Sequence, residues 1–257
     1  MNWLRSMLIA FSTYSRLPVP QVAWSERNMK WSMAFLPCIG VVIGLLLYGW
    51  QRFALWLELE PLLFAAVATV IPLAVSGGIH LDGFCDTADA LSSHQPRERK
   101  LEILKDAHIG AFGVMVCVLY LLLWMGCMAQ LRQSVHFALC CAVFVLSRAV
   151  SALTTQYLPN ARGTGMLQTF TDGSNRFMIT GLLLFWLLSC TAWLAWQNLW
   201  LCCWIWVGIV VSFVWFAQMA RRQFGGITGD IIGFYLQLCE LVLLVMIIAG
   251  EQIWNFI

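Results

Sequence analysis

Three aspartates in one short segment give this sequence its clearest indication of chemistry. Asp82, Asp86 and Asp89 are spaced i, i+4 and i+7 within the run GGIHLDGFCDTADAL. On a helix this spacing aligns the carboxylates along one stripe, where like charges destabilise the helix unless a cation neutralises them. Mg²⁺ prefers such oxygen ligands and binds substrate phosphates beside one or two carboxylates. We therefore predict that Asp82, Asp86 and Asp89 bind metal; a solvated acidic helix face is the simpler alternative.

Other polar residues lie beside glycines that permit close approach of the backbone. His80 directly precedes the aspartate stripe, Asp106 lies in the run KDAHIGAFGV, and Asp230 lies in the distant run GGITGDIIG. Two glycine-flanked aspartate motifs so far apart in sequence suggest one shared site. We therefore predict that Asp106 and Asp230 join the stripe.

Three basic residues are candidates for binding phosphate. Lys105 precedes Asp106, and Arg162 lies in a glycine-containing loop that would also serve as a plain linker. Arg148 lies deep in a predicted span, where a charge costs about 2.5–3.5 kcal/mol on insertion scales. Arg148 therefore needs a partner: a carboxylate such as Glu240 or an aspartate of the stripe, a substrate phosphate, or both together.

The composition requires lipid around the protein. Of its 257 residues, 61% are hydrophobic and only 11% are charged, whereas a soluble domain carries about 25% charged residues. The formal net charge of +2 is too small to indicate a nucleic-acid partner. We predict an all-α polytopic transmembrane bundle, formed by residues 1–257 as a single membrane domain.

Apolar runs and basic residues together predict seven spans and their orientation. The spans are expected at residues 33–56, 62–75, 109–131, 135–153, 177–196, 199–219 and 231–249. Basic residues are abundant and scarce in alternate connections, and the cytoplasmic side retains Lys and Arg. The N-terminus and the segments 78–108, 155–176 and 220–230 are therefore predicted to be cytoplasmic, with interfacial helices at the N-terminus and at residues 97–105.

The three motif runs together resemble one enzyme family. GGIHLDGFCDTADAL at residues 77–91, KDAHIGAFGV at 105–114 and GGITGDIIG at 225–233 are similar to those of the cobalamin synthases, or adenosylcobinamide-GDP ribazoletransferases. The run TYSRLPVP at residues 13–20 resembles the opening of that family. The resemblance covers nearly the whole chain in the expected order, with small departures at Ala90 and at Ala107-His108.

The resemblance implies a Mg²⁺-dependent transferase of the bacterial inner membrane that completes adenosylcobalamin. α-Ribazole, or its 5′-phosphate, would attack the pyrophosphate of adenosylcobinamide-GDP through a ribose hydroxyl and release GMP. Carboxylate-held Mg²⁺ with nearby Lys and Arg would neutralise the transferring phosphoryl group. The choice between the two acceptors and the formation of a homo-oligomer are left open; no nucleic-acid partner is expected.

Roles in this reaction follow from the same resemblance. One acid, or His80, would accept the proton of the hydroxyl. The predicted catalytic residues are His80, Asp82, Asp86, Asp89, Asp106 and Asp230, of which Asp82, Asp86 and Asp89 hold the metal. The predicted phosphate contacts are Lys105, Arg148 and Arg162.

Two other functions match part of the pattern. CDP-alcohol phosphotransferases also use membrane-edge aspartates with Mg²⁺, but their motif has Ala-Arg shortly after Asp-Gly, whereas Asp82-Gly83 is followed here by FCDT. A transporter of divalent cations or small molecules would also suit seven spans with polar residues inside them. Transport sites usually lie near the bilayer midplane, however, and most acids here are expected at one face.

Overall fold

Long apolar helices make up most of the chain. The computed structural model describes residues 3–29, 31–162 and 176–254, so most of the predicted segment 155–176 lies outside the described residues. In chain order the elements are α1 (Trp3–Tyr14), α2 (Glu26–Met29), a 3₁₀ turn (Ser32–Phe35), α3 (Leu36–Trp56), α4 (Pro61–Ser76), α5 (Ile79–Ser92), α6 (Arg97–Ile103), α7 (Ala111–Leu131), α8 (Phe137–Tyr157), α9 (Arg176–Gln197), α10 (Leu199–Phe224) and α11 (Gly229–Trp254). The predicted all-α membrane fold is confirmed.

Among the described residues, six helices are long and apolar enough to cross a membrane: α3 with its preceding turn, α7, α8, α9, α10 and α11. α4 and α5 pass the same test only as a pair, which is bent by 96°. The 16 residues of α4 extend over about 24 Å, which is short of an average hydrocarbon core. We take α4 as the seventh crossing and α5, which carries the aspartate stripe, as lying outside the spans.

Contacts between the connections define one end of the bundle, which we call the distal end. Arg132, after α7, donates to the carbonyl of Leu59, before α4. His136, before α8, lies 3.1 Å from the side chains of both Asn198 and Glu251. The α3–α4, α7–α8 and α9–α10 connections and the end of α11 therefore meet there.

The described parts of the remaining connections meet at the opposite end. The backbone N–H of Arg16 donates to the carbonyl of Val75 at 2.8 Å, which joins the N-terminal segment to the end of α4. Lys100 on α6 contacts Gln223 near the end of α10. A β-bridge joins the segment after α8 to the α10–α11 connection. This alternation of ends agrees with seven crossings.

A buried ion pair joins the central helix α8 to α11. Arg148 Nη1 lies 2.5 Å from Glu240 Oε1, and both side chains are 1% exposed. Ser147 donates to the same carboxylate oxygen at 3.1 Å, and Arg148 Nη1 also donates to the carbonyl of Phe144 at 3.1 Å. Of the partners that the sequence left open, Glu240 is the one observed. The contact of Arg148 with a phosphate stays a prediction.

This pair yields a stability prediction. Arg148→Met leaves Glu240 buried and unpaired, and Glu240→Leu does the same to Arg148, so each change is expected to destabilise the protein by about 3–5 kcal/mol. The double variant Arg148→Met/Glu240→Leu removes both charges and is expected to recover most of that loss. Unfolding in detergent measures all three variants. A double variant whose loss equals the sum of the single losses would contradict the pairing.

Candidate active site

A glycine turn directs the aspartate helix away from α4. Gly77 and Gly78 separate α4 from α5 and have φ angles of +65° and +76°. Residues with a side chain rarely adopt positive φ angles, whereas glycine adopts them freely. The chain can therefore bend by 96° within two residues, which carries the stripe to the edge of the bundle.

α5 packs directly against the start of α11. A Cβ atom at Gly83 would come within 2.7 Å of the Asp230 Cα, so only glycine permits this approach. One turn deeper, the rings of Phe84 and Phe234 stack with centroids 5.1 Å apart. The packing places Asp82 and Asp230, which are distant in sequence, on the wall of one cavity.

An open cavity of about 610 Å³ carries three of the predicted acids. Asp82, Asp86 and Asp106 line it, and we call it the acidic cavity. Burial, followed by the charges of Asp82 and Asp230, raises the pKa of Asp86 to about 6. Its anionic form is thus unfavourable in the protein alone, and a bound cation would favour it.

Asp106 lies at the exposed rim of the acidic cavity. Its Oδ1 accepts the backbone N–H of His108 at 3.0 Å and lies 2.9 Å from the His108 ring nitrogen Nδ1. These hydrogen bonds lower the pKa of Asp106, which is therefore ionised at neutral pH. Lys105 is exposed and lines neither this cavity nor the next. Its contact with phosphate stays a prediction.

A second cavity of about 280 Å³ adjoins the first, and we call it the inner cavity. His80, Asp82, Arg162 and Asp230 line it. Arg162 Nη2 lies 3.5 Å from Asp230 Oδ2, and Thr228 donates to the same oxygen at 3.3 Å. The site thus places a guanidinium next to carboxylates, an arrangement that suits an anionic ligand.

Asp89 makes two hydrogen bonds that the sequence did not predict. Its two carboxylate oxygens accept the backbone N–H groups of Gly110 at 2.6 Å and Gly113 at 2.7 Å. These groups belong to the start of α7, where N–H groups lack partners within the helix and the helix dipole favours an anion. Asp89 lines neither cavity. Asp89 therefore caps α7 in the structure, and its role as a metal ligand stays a prediction.

The remaining carboxylates suit a loosely held Mg²⁺. Within the described ranges, no three His, Cys, Asp or Glu side chains lie close enough to hold a metal ion by themselves. Mg²⁺ usually keeps several waters and binds through one or two carboxylates together with substrate phosphates. Asp82 and Asp86 match that mode, because both line the acidic cavity and the anion of Asp86 needs a compensating charge.

Sequence reasoning missed the contribution of α8 to the inner cavity. Ser151 and Thr155 line it from that helix. They lie i, i+4 apart in an otherwise apolar span, and polar groups in a span are expected to face protein or water rather than lipid. That spacing was the signal available in the sequence.

These features define a multi-pass helical membrane protein with an acidic site at one end of its bundle. Comparison with known proteins identifies the particular family. The chain matches the CobS family, described as cobalamin-5-phosphate synthase, over residues 6–248. The chain belongs to this family, which confirms the resemblance seen in the motifs.

Curated relatives match along almost their whole length. An adenosylcobinamide-GDP ribazoletransferase of Lachnoclostridium phytofermentans is 36% identical over 255 residues, covering 98% of this chain and 97% of the relative. A protein of the same name from Desulfitobacterium hafniense is 33% identical over 260 residues, covering 94% and 95%. No solved structure matches the chain.

The cap formed by Asp89 yields a prediction that hydrogen exchange can check. Asp89→Asn keeps the shape of the side chain but replaces one acceptor oxygen by an N–H₂ group, so one amide of α7 loses its partner. Exchange at Gly110 or Gly113 is expected to rise about tenfold. Asp86→Asn is the matched control and should leave these amides unchanged. Unaltered exchange in Asp89→Asn would show that the cap does not form.

Proposed function

We propose that this protein is an adenosylcobinamide-GDP ribazoletransferase, which joins adenosylcobinamide-GDP to α-ribazole or its 5′-phosphate and releases GMP. The names of the full-length relatives support this activity, and the family description supports a phosphorylated product. The structural observation that carries the proposal is the meeting of Asp82, Asp86, Asp106, Asp230 and Arg162 around two adjoining cavities. Neither the names nor this position at one end of the bundle supports the transporter alternative.

The reaction exchanges one phosphorus–oxygen bond for another. The ribose hydroxyl attacks the phosphorus next to cobinamide, a new P–O bond forms, and the P–O–P anhydride bond breaks. GMP leaves with the second phosphate, and the proton of the hydroxyl passes to a carboxylate. Such transfers depend on in-line positioning and on neutralising the charge of the phosphoryl oxygens.

Asp82 and Asp86 would hold Mg²⁺ in the acidic cavity. When bound there, Mg²⁺ supplies positive charge to the pyrophosphate. Asp230 is the acid that we assign to accept the proton, because it lines the inner cavity and lies apart from the acidic cavity. Arg162 Nη2 lies 3.5 Å from Asp230 Oδ2, so a cationic group stands beside that carboxylate in the inner cavity.

We further propose that the end of the bundle that carries the two cavities, which we call the site end, faces the cytoplasm of a bacterial cell. Of the basic residues described, Arg52 and Arg132 lie toward the distal end, and Arg148 lies inside the bundle. The basic residues of the N-terminal segment, of α6 and of the end of α10 lie at the site end. The positive-inside rule then orients the site end inward. An inner-membrane location would bring the site to soluble nucleotide substrates.

Single substitutions test the proposed site. Asp82→Asn, Asp86→Asn and Asp230→Asn each remove a negative charge with little change in shape, and each is expected to lower kcat/KM by about 100-fold or more. The assay incubates purified protein with adenosylcobinamide-GDP, α-ribazole and Mg²⁺ and quantifies GMP and the coupled corrinoid. Glu60→Gln, an acid at the distal end, is the control and should retain activity. Unimpaired product formation by all three variants would refute the shared site.

Metal removal provides a separate prediction. A chelator is expected to abolish turnover and added Mg²⁺ to restore it. Asp86→Asn should raise the Mg²⁺ concentration for half-maximal rate by about tenfold. Asp89→Asn should lower the rate without changing the Mg²⁺ dependence, since that side chain caps α7. Full activity in the chelator would contradict the metal assignment.

A further inference from the structure

The two cavities meet at a single shared side chain and differ in chemistry. Among the described residues that line them, Asp82 alone belongs to both. On one side of Asp82, the acidic cavity also contains Asp86 and Asp106. On the other side, the inner cavity contains Arg162 and the hydroxyl-bearing residues of α8. Two substrates that react with each other could thus enter from the two sides and meet at Asp82.

The inner cavity combines an apolar wall with unsatisfied polar atoms. Met33 and Leu36 form part of the wall, as do Tyr14 and His80, whose rings are nearly parallel with centroids 6.2 Å apart. Ser151 Oγ is buried, and no described residue hydrogen-bonds to it. A buried hydroxyl without a partner is costly, so this atom is available to a polar group of a ligand.

Arg162 adds a cationic group with free donors. Its Nε and Nη2 atoms are buried and have no hydrogen-bond acceptor among the described residues, although Nη2 lies within ion-pair distance of Asp230. The planar guanidinium fork matches two oxygens of a phosphate. A ligand of the inner cavity that carries a phosphate would satisfy both nitrogens.

Size separates the two substrates between the cavities. A volume of about 280 Å³ lies near the lower limit of small-molecule sites. It is suited to a nucleoside, whereas a corrinoid is several times larger. The donor carries a pyrophosphate, which calls for the metal-binding carboxylates of the acidic cavity, and its corrinoid would extend outward from there.

We propose that the inner cavity is the acceptor subsite, in which the planar base of α-ribazole lies against the apolar wall and Arg162 contacts the 5′-phosphate of the phosphorylated form. This inference rests on the proposed function. In this arrangement the ribose hydroxyl lies on the inner-cavity side of Asp82, and the phosphorus of the donor lies on the acidic-cavity side. The hydroxyl then faces the phosphorus, as in-line attack requires.

Filling the inner cavity tests the subsite. Ser151→Leu is expected to raise the KM for α-ribazole at least about fivefold, while the KM for adenosylcobinamide-GDP changes less than about twofold. Ser189→Leu makes the same change at an exposed position of α9 remote from both cavities, and should leave both constants unchanged. If Ser151→Leu lowers the thermal stability, Ile79→Trp, at the exposed rim of the inner cavity, replaces it with the same expected result.

Substitution of Arg162 tests the phosphate contact. Arg162→Gln is expected to lower kcat/KM for α-ribazole 5′-phosphate about 30-fold, and for unphosphorylated α-ribazole less than about threefold. Equal losses with both acceptors, or a rise in the KM for adenosylcobinamide-GDP, would overturn the assignment and place Arg162 on the donor.

Failure of this inference can be told apart from failure of the proposed function. If the wild-type protein forms no coupled corrinoid from either acceptor, the proposed function is wrong. If the wild-type protein turns over and a stable cavity-filling variant keeps its KM for α-ribazole, only the acceptor subsite is wrong. A rise confined to the KM for the donor would reverse the two subsites.

Discussion

Carboxylates held close together at the edge of a membrane repel one another, and the apolar bundle beneath them offers little to solvate their charge. In this protein Asp82, Asp86 and Asp106 share one cavity, where burial and then the repulsion from neighbouring carboxylates raise the pKa of Asp86 to about 6. Relief requires a positive partner, which a divalent ion with an anionic substrate can supply. The other features of the site follow from the need to hold these charges together.

Three local features of the fold hold the carboxylates of the site close together. The turn at Gly77 and Gly78 directs α5 across the end of the bundle, and the missing side chain at Gly83 lets α5 contact the start of α11. Asp89 then fixes the start of α7 and, with it, the segment that carries Asp106. Away from the site, the Arg148–Glu240 pair compensates its own charges inside the bundle. The charges that stabilise the bundle are therefore separate from the carboxylates of the site.

Hydropathy was sufficient to predict the class of fold and nearly all the spans, because a lipid-facing helix must be apolar over a fixed length. The meeting of Asp82 with Asp230 could be anticipated from their glycine-flanked motifs. The cap formed by Asp89 could not be anticipated, because the i, i+7 spacing shows that Asp82 and Asp89 share a helix face but does not show which helix packs against that face. For Arg148 the sequence showed the need for a partner, and only packing identified Glu240 as that partner.

An experimental structure of the protein in lipid nanodiscs, with Mn²⁺ and an unreactive analogue of adenosylcobinamide-GDP, tests the central claim most directly. The account predicts metal and pyrophosphate density beside Asp82 and Asp86, at the same end of the bundle as Asp230. Density at the distal end near His136 and Glu251, or Asp82 and Asp230 too far apart to contact one ligand, would contradict it.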